Sequence, residues 1–221
     1  MDLTGLTTPT EFGGVDADDS DSITRFLVPT ESDGLRVGDP EAKLGLRASD
    51  TTSLTFDGVY VPERYRLTAV GSGLAAALSI LNGGQVNIAA QAVGLARRAL
   101  DEAREYASEC EQFDGSISAI QTIRHKLAEM ATRVAAGRLL TWDAPGKLDR
   151  GEDARQAASM AKCFASEGAV DVANEAVQIH GGYGYTTEYP AERLYRDAKE
   201  TTIYEGTTEI QKNVIARSLL R

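Results

Sequence analysis

Cysteine, histidine and tryptophan are scarce in this sequence. Its 221 residues include two cysteines, two histidines and one tryptophan. Cys110 and Cys163 lie in helical-looking segments without the spacing of metal ligands, and neither His125 nor His180 has a pattern of partners near it. A metal site is therefore not expected.

Positive charge is also in short supply. The chain has 23 lysines and arginines against 33 aspartates and glutamates, which gives a formal net charge of -10. Because phosphate contacts need clustered Lys and Arg, this balance argues against nucleic-acid binding. The acidity, visible in "DADDSDS", is open to two interpretations. One is a salt-adapted host, and the other is an ordinary acidic surface that keeps a protein soluble.

Long apolar runs are missing as well. The longest weakly polar stretch, "GSGLAAALSILNGG", is too short and too rich in glycine to span a bilayer, and no basic-then-apolar leader opens the sequence. We therefore expect a cytoplasmic protein without membrane insertion. The apolar content of 42% is enough for a core in one large domain or two modest ones.

The first third of the chain predicts loops and strands. Residues 1–21 are rich in Thr, Gly, Asp and Ser, which is typical of a loop. The segments "ITRFLVP" and "SLTFDGVYVP" alternate apolar and polar residues and close on proline, so both are predicted to be strands. The Gly, Asp and Pro residues between them predict turns. These elements define a first domain over residues 1–68.

After about residue 70 the apolar residues recur with the period of helices. Helices are predicted over Leu74 to about Tyr106, over the stretch that contains Ile120 to Val134, over Arg155 to Ile179, and from near Thr208. Four such helices predict a bundle over residues 69–221. Gly83 and Gly84 predict close packing or a kink in the first helix, and Pro145 is expected to end the second.

Two polar or glycine-rich segments interrupt the predicted helices, "QIHGGYGYTTEYP" and "YEGTTEIQ". The glycines of the first leave main-chain N–H groups open to a phosphate or a ligand, although a glycine cluster after a helix is more often its C-cap. In the second, Thr208 and Gln211 have the spacing of a capping box.

Glu205, in the second segment, has two possible roles. A helix start has free N–H donors and positive potential, so it can be stabilised by a nearby carboxylate. The same carboxylate can instead be a general base that takes a proton from a substrate. Spacing alone favours the first role.

Five segments in order resemble the C-terminal half of the acyl-CoA dehydrogenase family of flavoenzymes. They are "KLGLRASDTTSLTFDGVYVP", "QAVGLARRALDEAREYA", "QFDGSISAIQTIRHKLAEMA", "AVQIHGGYGYTTEYPAERLYRDAK" and "IYEGTTEIQKNVIAR". The resemblance implies an α+β, mainly α fold, in which a partial β-barrel or sandwich segment precedes the four-helix bundle of the family. Family members also have an N-terminal helical domain and the first part of the β-domain. We therefore expect an N-terminally truncated or split dehydrogenase.

The resemblance also implies a reaction and a set of site residues. Glu205 matches the family's catalytic base in the "YEGT" motif, which removes the α-proton of an acyl-CoA while a hydride passes to FAD. An electron-transferring flavoprotein would accept the electrons, and a homo-oligomer, a dimer or a tetramer, would share FAD across its interface. The positions implied for FAD are Gln178, Gly181, Gly182, Thr207 and Glu209, with Gln112, Phe113 and Gln121 facing the neighbouring subunit's FAD. Those implied for the acyl-CoA are Asn82, Gln85, Tyr204 and Gly206.

Three positions depart from the family pattern. Cys110 stands where an arginine normally meets the FAD phosphates, Asp114 replaces a glycine, and Gln85 replaces an arginine on the acyl-CoA side. Each change removes positive charge or adds negative charge near an anionic ligand. Two alternatives therefore stay open. The chain is a non-catalytic helical-bundle module for assembly or interaction, or another chain supplies the missing half. For Tyr204, an aromatic packed at the base of the loop is an equally open role.

Overall fold

The computed structural model of the chain describes residues 23–220. The loop predicted for residues 1–21 lies outside that range, as does the side chain of Asn82. The described residues are mainly helical with a few short strands, so the predicted α+β, mainly α class is confirmed. They divide into two compact units, one formed by residues 23–42 and 48–81, the other by residues 43–47 and 82–220.

The described residues form five α-helices. They are α1 (Gly73–Glu109), α2 (Gln121–Asp149), α3 (Arg155–His180), α4 (Ala191–Glu200) and α5 (Thr208–Leu219). Four of them match the predicted helices to within a few residues at their clear ends. The short helix α4 is missing from the prediction. Its buried residues, Ala191, Leu194 and Ala198, lie at helical spacing directly after Pro190, so the signal was present over only two turns.

Pro145 does not end α2, and that prediction was wrong. The helix continues through the proline to Asp149. Proline removes one i→i−4 hydrogen bond, which here belongs to the carbonyl of Thr141. The neighbouring Ala144 is fully buried. Packing of this turn therefore outweighs the lost bond.

The first unit contains a small antiparallel hairpin. Strand β1 (Leu35–Val37) pairs with β2 (Leu54–Phe56), with Arg36 opposite Thr55. Only β2 was predicted correctly. The segment "ITRFLVP" contributes an isolated bridge from Phe26 to Arg66, whereas β1 lies in the segment that was predicted to be turns. Three residues between turn signals are too few to show a period.

The core of the second unit is built largely from alanine. Along α1, Ala89, Ala92, Ala96, Ala99 and Ala103 are almost completely buried, and the core cluster continues through α3. Helix α3 contacts α2, α4 and α5. Because alanine adds little volume, helices can approach closely along such a stripe. Helix α3 is thus the element against which the loop before α5 is placed.

Candidate active site

The loop between α4 and α5 holds Glu205 in an uncommon backbone conformation. Glu205 has φ +52° and Gly206 has φ +89°, so two consecutive residues lie in the left-handed region. For a residue other than glycine this conformation costs about 1–2 kcal/mol. Such strain persists where the surrounding structure fixes it, and it is frequent at functional sites.

Two fully buried side chains fix this turn. The Lys162 ammonium on α3 donates to the Gly206 carbonyl at 2.5 Å. The Gln211 amide on α5 donates to the same carbonyl at 3.1 Å and to the Glu205 carbonyl at 3.3 Å. Both Lys162 and Gln211 are 0% exposed. The turn is therefore held from two helices.

The capping box predicted for Thr208 and Gln211 was wrong, because the Gln211 amide bonds to the turn instead. The Gln211 amide is directed to the Glu205–Gly206 turn, and the Thr208 hydroxyl donates to the Thr202 carbonyl at 3.4 Å. The residue before α5, Thr207, makes no side-chain cap bond to the helix backbone.

The Glu205 carboxylate lies against the backbone of α1. A Cβ atom built on Gly84 would approach Oε2 of Glu205 to 2.4 Å, whereas one built on Gly83 would meet nothing within 4 Å. Of the two outcomes predicted for the glycine pair, close packing is confirmed at Gly84, and α1 continues as an α-helix through both. The sequence left open that Glu205 is the carboxylate at the start of α5. In the structure, Glu209 is the acidic residue in the first turn of that helix. Its own backbone N–H and the Thr207 hydroxyl lower the pKa of Glu209.

Tyr204 and Gln85 connect the same region to neighbouring helices. The Tyr204 hydroxyl donates to the Gln91 side-chain carbonyl on α1. Burial raises the pKa of Tyr204, with a further contribution from Glu200. Gln85 is buried, and its amide oxygen accepts a hydrogen bond from the Ser159 hydroxyl at 3.5 Å. Gly206 is part of the turn, Tyr204 precedes it, and Gln85 follows Gly84 on α1. The roles of these three residues toward a substrate stay predictions.

The sequence prediction missed Lys162. Burial lowers the pKa of its ammonium, while the nearby carboxylates of Glu205 and Glu209 act in the opposite direction. A signal was present in the sequence, because Lys162 lies on the apolar face of α3 with Ala158 and Ala165. A charge on a buried face needs a partner.

Two of the positions implied for FAD lie at one cavity. Thr207 and Glu209 line a space of about 420 Å³ at the start of α5, together with Lys199, Thr202 and Asp171. Hydroxyl, carboxylate and ammonium groups are therefore all available to a ligand there.

The other three lie in the last turn of α3 and directly after it. Gln178 is exposed, and Gly181 ends the helix with φ +59° and donates its N–H to the Gln178 carbonyl. This confirms the predicted C-cap. A Cβ atom on Gly181 or Gly182 would meet nothing within 4 Å, so the backbone of both residues is open to approach.

The positions implied for a neighbouring subunit's FAD lie in the connection between α1 and α2 and at the first residue of α2. Strands β3 (Glu111–Gln112) and β4 (Gly115–Ser116) form a tight hairpin. Its two central residues, Phe113 and Asp114, have φ +54° and +66°, as a type I′ turn requires. The Phe113 side chain is 90% exposed, and Gln112 and Gln121 are exposed as well.

Cys110, the position that departs from the family arginine, interacts with an aromatic cluster. Its side chain packs on the same core cluster as Tyr106, whose ring stacks on His180 with centroids 4.3 Å apart. Burial, followed by the Cys110 contact, raises the pKa of Tyr106 to about 12. The His180 Nδ1 atom lies 2.7 Å from the Ala176 carbonyl. The cysteine therefore packs beside an aromatic cluster of Tyr106, His180 and Tyr189.

Residues 23–220 contain neither a metal-ligand cluster nor a membrane-spanning helix. No group of three or more His, Cys, Asp or Glu side chains there is arranged to hold a metal ion. No helix in that range has the length and apolar character needed to cross a membrane.

Comparison with known proteins agrees with the motifs. A family model described as the C-terminal domain of acyl-CoA dehydrogenase matches residues 71–220. The chain therefore belongs to the acyl-CoA dehydrogenase family. It is 50% identical over 198 residues to an acyl-CoA dehydrogenase of Bacillus subtilis (strain 168), which covers 90% of this chain and 52% of the relative.

Solved structures show the same relationship. The butyryl-CoA dehydrogenase of Megasphaera elsdenii matches with a TM-score of 0.91 and 40% identity, over 94% of this chain and 54% of the other. A chain in a structure of the electron transferring flavoprotein of Acidaminococcus fermentans matches with a TM-score of 0.92 and 41% identity, over 99% and 56%. The chain spans about half the length of the curated relatives it matches.

Proposed function

We propose that this chain takes part in the α,β-dehydrogenation of an acyl-CoA thioester to a trans-2-enoyl-CoA, with Glu205 as the base. Membership of the family supports the reaction class. The observation that carries the proposal is the Glu205 carboxylate against bare Gly84, on a turn fixed by Lys162 and Gln211.

The chemistry explains why a fixed carboxylate is needed. The α-proton of a thioester is weakly acidic, so it leaves only when a base is held within hydrogen-bond reach. Glu205 accepts this proton, and the hydride leaves from the β-carbon. A strained turn anchored by two buried donors limits the positions that the carboxylate can take. The half-buried Tyr204 and Gly206 lie beside it on the same loop and are proposed to meet the thioester, together with Gln85 and Asn82.

The residues present fit a flavin nucleotide, and FAD is the hydride acceptor that the proposal requires. We propose that the open backbone at Gly181 and Gly182 receives it from one side, with Gln178. Thr207 and Glu209 would hold hydroxyl or amino groups of the nucleotide, since the ionised carboxylate is an acceptor only. Gln112, Phe113 and Gln121, exposed in the single chain, would meet the FAD of a second copy in a homo-oligomer.

An electron-transferring flavoprotein is the proposed electron acceptor. The match to a chain in the Acidaminococcus fermentans structure supports this choice. The expected cytoplasmic location stays a prediction.

The test is the visible absorbance spectrum of the purified chain before and after incubation with excess FAD. A flavin band that bleaches on addition of butyryl-CoA or a longer acyl-CoA is the expected result. Glu205→Gln should keep the band and slow the bleaching by about 10²–10⁴-fold, because it removes the base but keeps the size of the side chain. Bleaching at the full rate in Glu205→Gln would refute the proposed mechanism.

The same spectrum separates the two alternatives. A chain that stays colourless with excess FAD, alone and with any chain that co-purifies from its source, would support a non-catalytic bundle module. Uptake of FAD only in the presence of a co-purified chain would support a split enzyme.

A further inference from the structure

We propose that Lys162 is a positioning residue for Glu205: its ammonium group holds the Gly206 carbonyl and thereby sets where the neighbouring carboxylate lies. This inference rests on the proposed role of Glu205 as the base. Helix α3 would thus control the geometry of proton abstraction through Lys162. In the proposal, this side chain touches neither substrate nor cofactor.

The Lys162 side chain is completely withdrawn from solvent. It heads the largest fully buried side chains among the described residues, with 0% exposure. Placing an ammonium group away from water is costly unless charge or hydrogen bonds compensate it. Its neighbours one turn away on α3 are the apolar Ala158 and Ala165 and two buried serines. The serine hydroxyls bond elsewhere, Ser159 to the Gln85 side chain and Ser166 to the Lys162 backbone carbonyl. An apolar side chain would fill the same space without this cost, so the ammonium must have a specific partner.

That partner is the turn that carries the proposed base. The ammonium donates to the Gly206 carbonyl at 2.5 Å, which is within the range of short charge-assisted hydrogen bonds. Gly206 directly follows Glu205, and both residues have positive φ. A change at the Gly206 peptide therefore rotates the Glu205 backbone and moves its carboxylate away from Gly84.

Gln211 also holds the turn, from α5, but less strongly than Lys162 does. Its amide bonds to the Glu205 and Gly206 carbonyls are longer, at 3.3 and 3.1 Å, and its donor is uncharged. A neutral hydrogen bond is about half as strong as a charge-assisted one. Without Lys162 the turn keeps only the weaker anchor, and we expect it to sample other conformations.

The nearby charges fit the same role. The carboxylates of Glu205 and Glu209 favour the charged form of Lys162 and oppose the effect of burial. The ammonium in turn places positive potential near the Glu205 carboxylate. Lys162 thus connects the base, the turn and the start of α5.

The test compares Lys162→Met, which keeps an unbranched apolar chain but removes the ammonium, with Lys126→Met. Lys126 is a matched control, because it is a partly buried lysine of the same unit that pairs with Glu175 on α3 and lies outside the proposed site. Two quantities are measured: amide hydrogen exchange of residues 201–208 by mass spectrometry, and the rate of flavin bleaching at saturating acyl-CoA.

Lys162→Met should exchange faster at residues 201–208 while the other helices of the unit stay protected. The bleaching rate should fall about 10–100-fold with the half-saturating acyl-CoA concentration nearly unchanged, because a displaced base slows chemistry more than binding. Lys126→Met should leave both quantities as they are in the unaltered chain. If Lys162→Met does not fold, Lys162→Gln, which removes the charge but keeps an amide donor, is measured in the same way, and smaller changes in the same direction are expected.

Unchanged exchange in the turn would overturn the inference, whether or not the chain binds FAD. Faster exchange with an unchanged bleaching rate would also overturn it, since the turn would then be irrelevant to the base. The proposed function fails separately, if Glu205→Gln keeps full turnover. In that case faster exchange in Lys162→Met would still report the structural contact alone.

Discussion

The absence of a side chain at Gly84 creates the space in which the Glu205 carboxylate lies. A Cβ atom at position 84 would lie only 2.4 Å from Oε2 of Glu205, which is at the far end of a flexible side chain. A small addition at Gly84 therefore moves the carboxylate without disturbing the helix backbone. The neighbouring Gly83 faces open space and offers a comparison within the same turn of α1.

We predict that Gly84→Ala stabilises the chain and slows its chemistry. Replacing glycine by alanine inside a helix contributes up to about 1 kcal/mol to the free energy of unfolding. The displaced Glu205 should lower the bleaching rate about 10–100-fold. Denaturant unfolding and stopped-flow absorbance measure the two effects.

Gly83→Ala is the matched control for this prediction. It should give a similar gain in the free energy of unfolding and leave the bleaching rate as it was. Equal bleaching rates in Gly83→Ala and Gly84→Ala would show that the contact with Glu205 has no part in the reaction.

Single residues of the candidate site were predictable only where a motif carries them. Glu205 was found through "YEGT", but its backbone conformation and its contact with Gly84 were not, because φ and tertiary contact leave no pattern in one sequence. Gln211 was assigned to a capping box by its spacing. In the structure its amide donates instead to two carbonyls of the strained turn. Lys162 was visible as a charge on an apolar face and was overlooked.

At the scale of elements, α1 and the end of α3 are joined by aromatic stacking. Tyr106 stacks on His180, and Tyr189 meets the Tyr106 ring edge-on at 5.5 Å. Burial and the Cys110 contact raise the pKa of Tyr106 from 10.0 to about 12. The neutral phenol is therefore favoured in the folded chain.

This shift predicts a loss of stability in alkali. In the unfolded chain Tyr106 ionises near pH 10, while in the folded chain it stays neutral to about pH 12. Its contribution is complete below pH 10 and declines between pH 10 and 12, because only the unfolded state releases the proton there. Tyr106→Phe should show a shallower fall in the free energy of unfolding over this range.

Tyr185→Phe, at a tyrosine that is 86% exposed, is the control for the alkaline measurement. Its stability should follow that of the unaltered chain at every pH. An alkaline slope in Tyr106→Phe as steep as in the unaltered chain would refute the role of this phenol.

The elements themselves were predictable in proportion to their length. Helices with several apolar turns, such as α3, were placed to within a residue, since periodicity averages over many positions. The three-residue strand β1 and the ten-residue helix α4 gave too few positions for a period. Pro145 misled because its local penalty is overcome by burial of the neighbouring Ala144, which only the assembled bundle shows.

At the scale of the whole molecule, the net charge of -10 is the dominant electrostatic feature. Several ion pairs in the described residues, including Arg133–Asp171, join exposed side chains. Such pairs contribute little, about 0–1 kcal/mol each. Repulsion between excess carboxylates should therefore outweigh them at low ionic strength.

We predict that added salt raises the melting temperature of the chain, because screening weakens this repulsion. A rise that levels off by about 0.5 M NaCl is expected for an ordinary acidic surface, since the screening length is then only a few ångström. A rise that continues into molar salt would favour a salt-adapted host. A fall in melting temperature on the first addition of salt would contradict the dominance of repulsion.

The backbone of Glu205 also bears on how the chain would drift under mutation. Glycine adopts φ +52° without the penalty that glutamate incurs, so replacing Glu205 by glycine would relax the turn. A protein kept only for its helical assembly would be relieved of this backbone strain, although it would lose the carboxylate near the buried Lys162 ammonium. Random variants selected for thermal stability alone should therefore accumulate changes at position 205, whereas selection for turnover should exclude them. The backbone conformation of Glu205 thus costs stability, and the proposed role as the base would explain why a glutamate stands there.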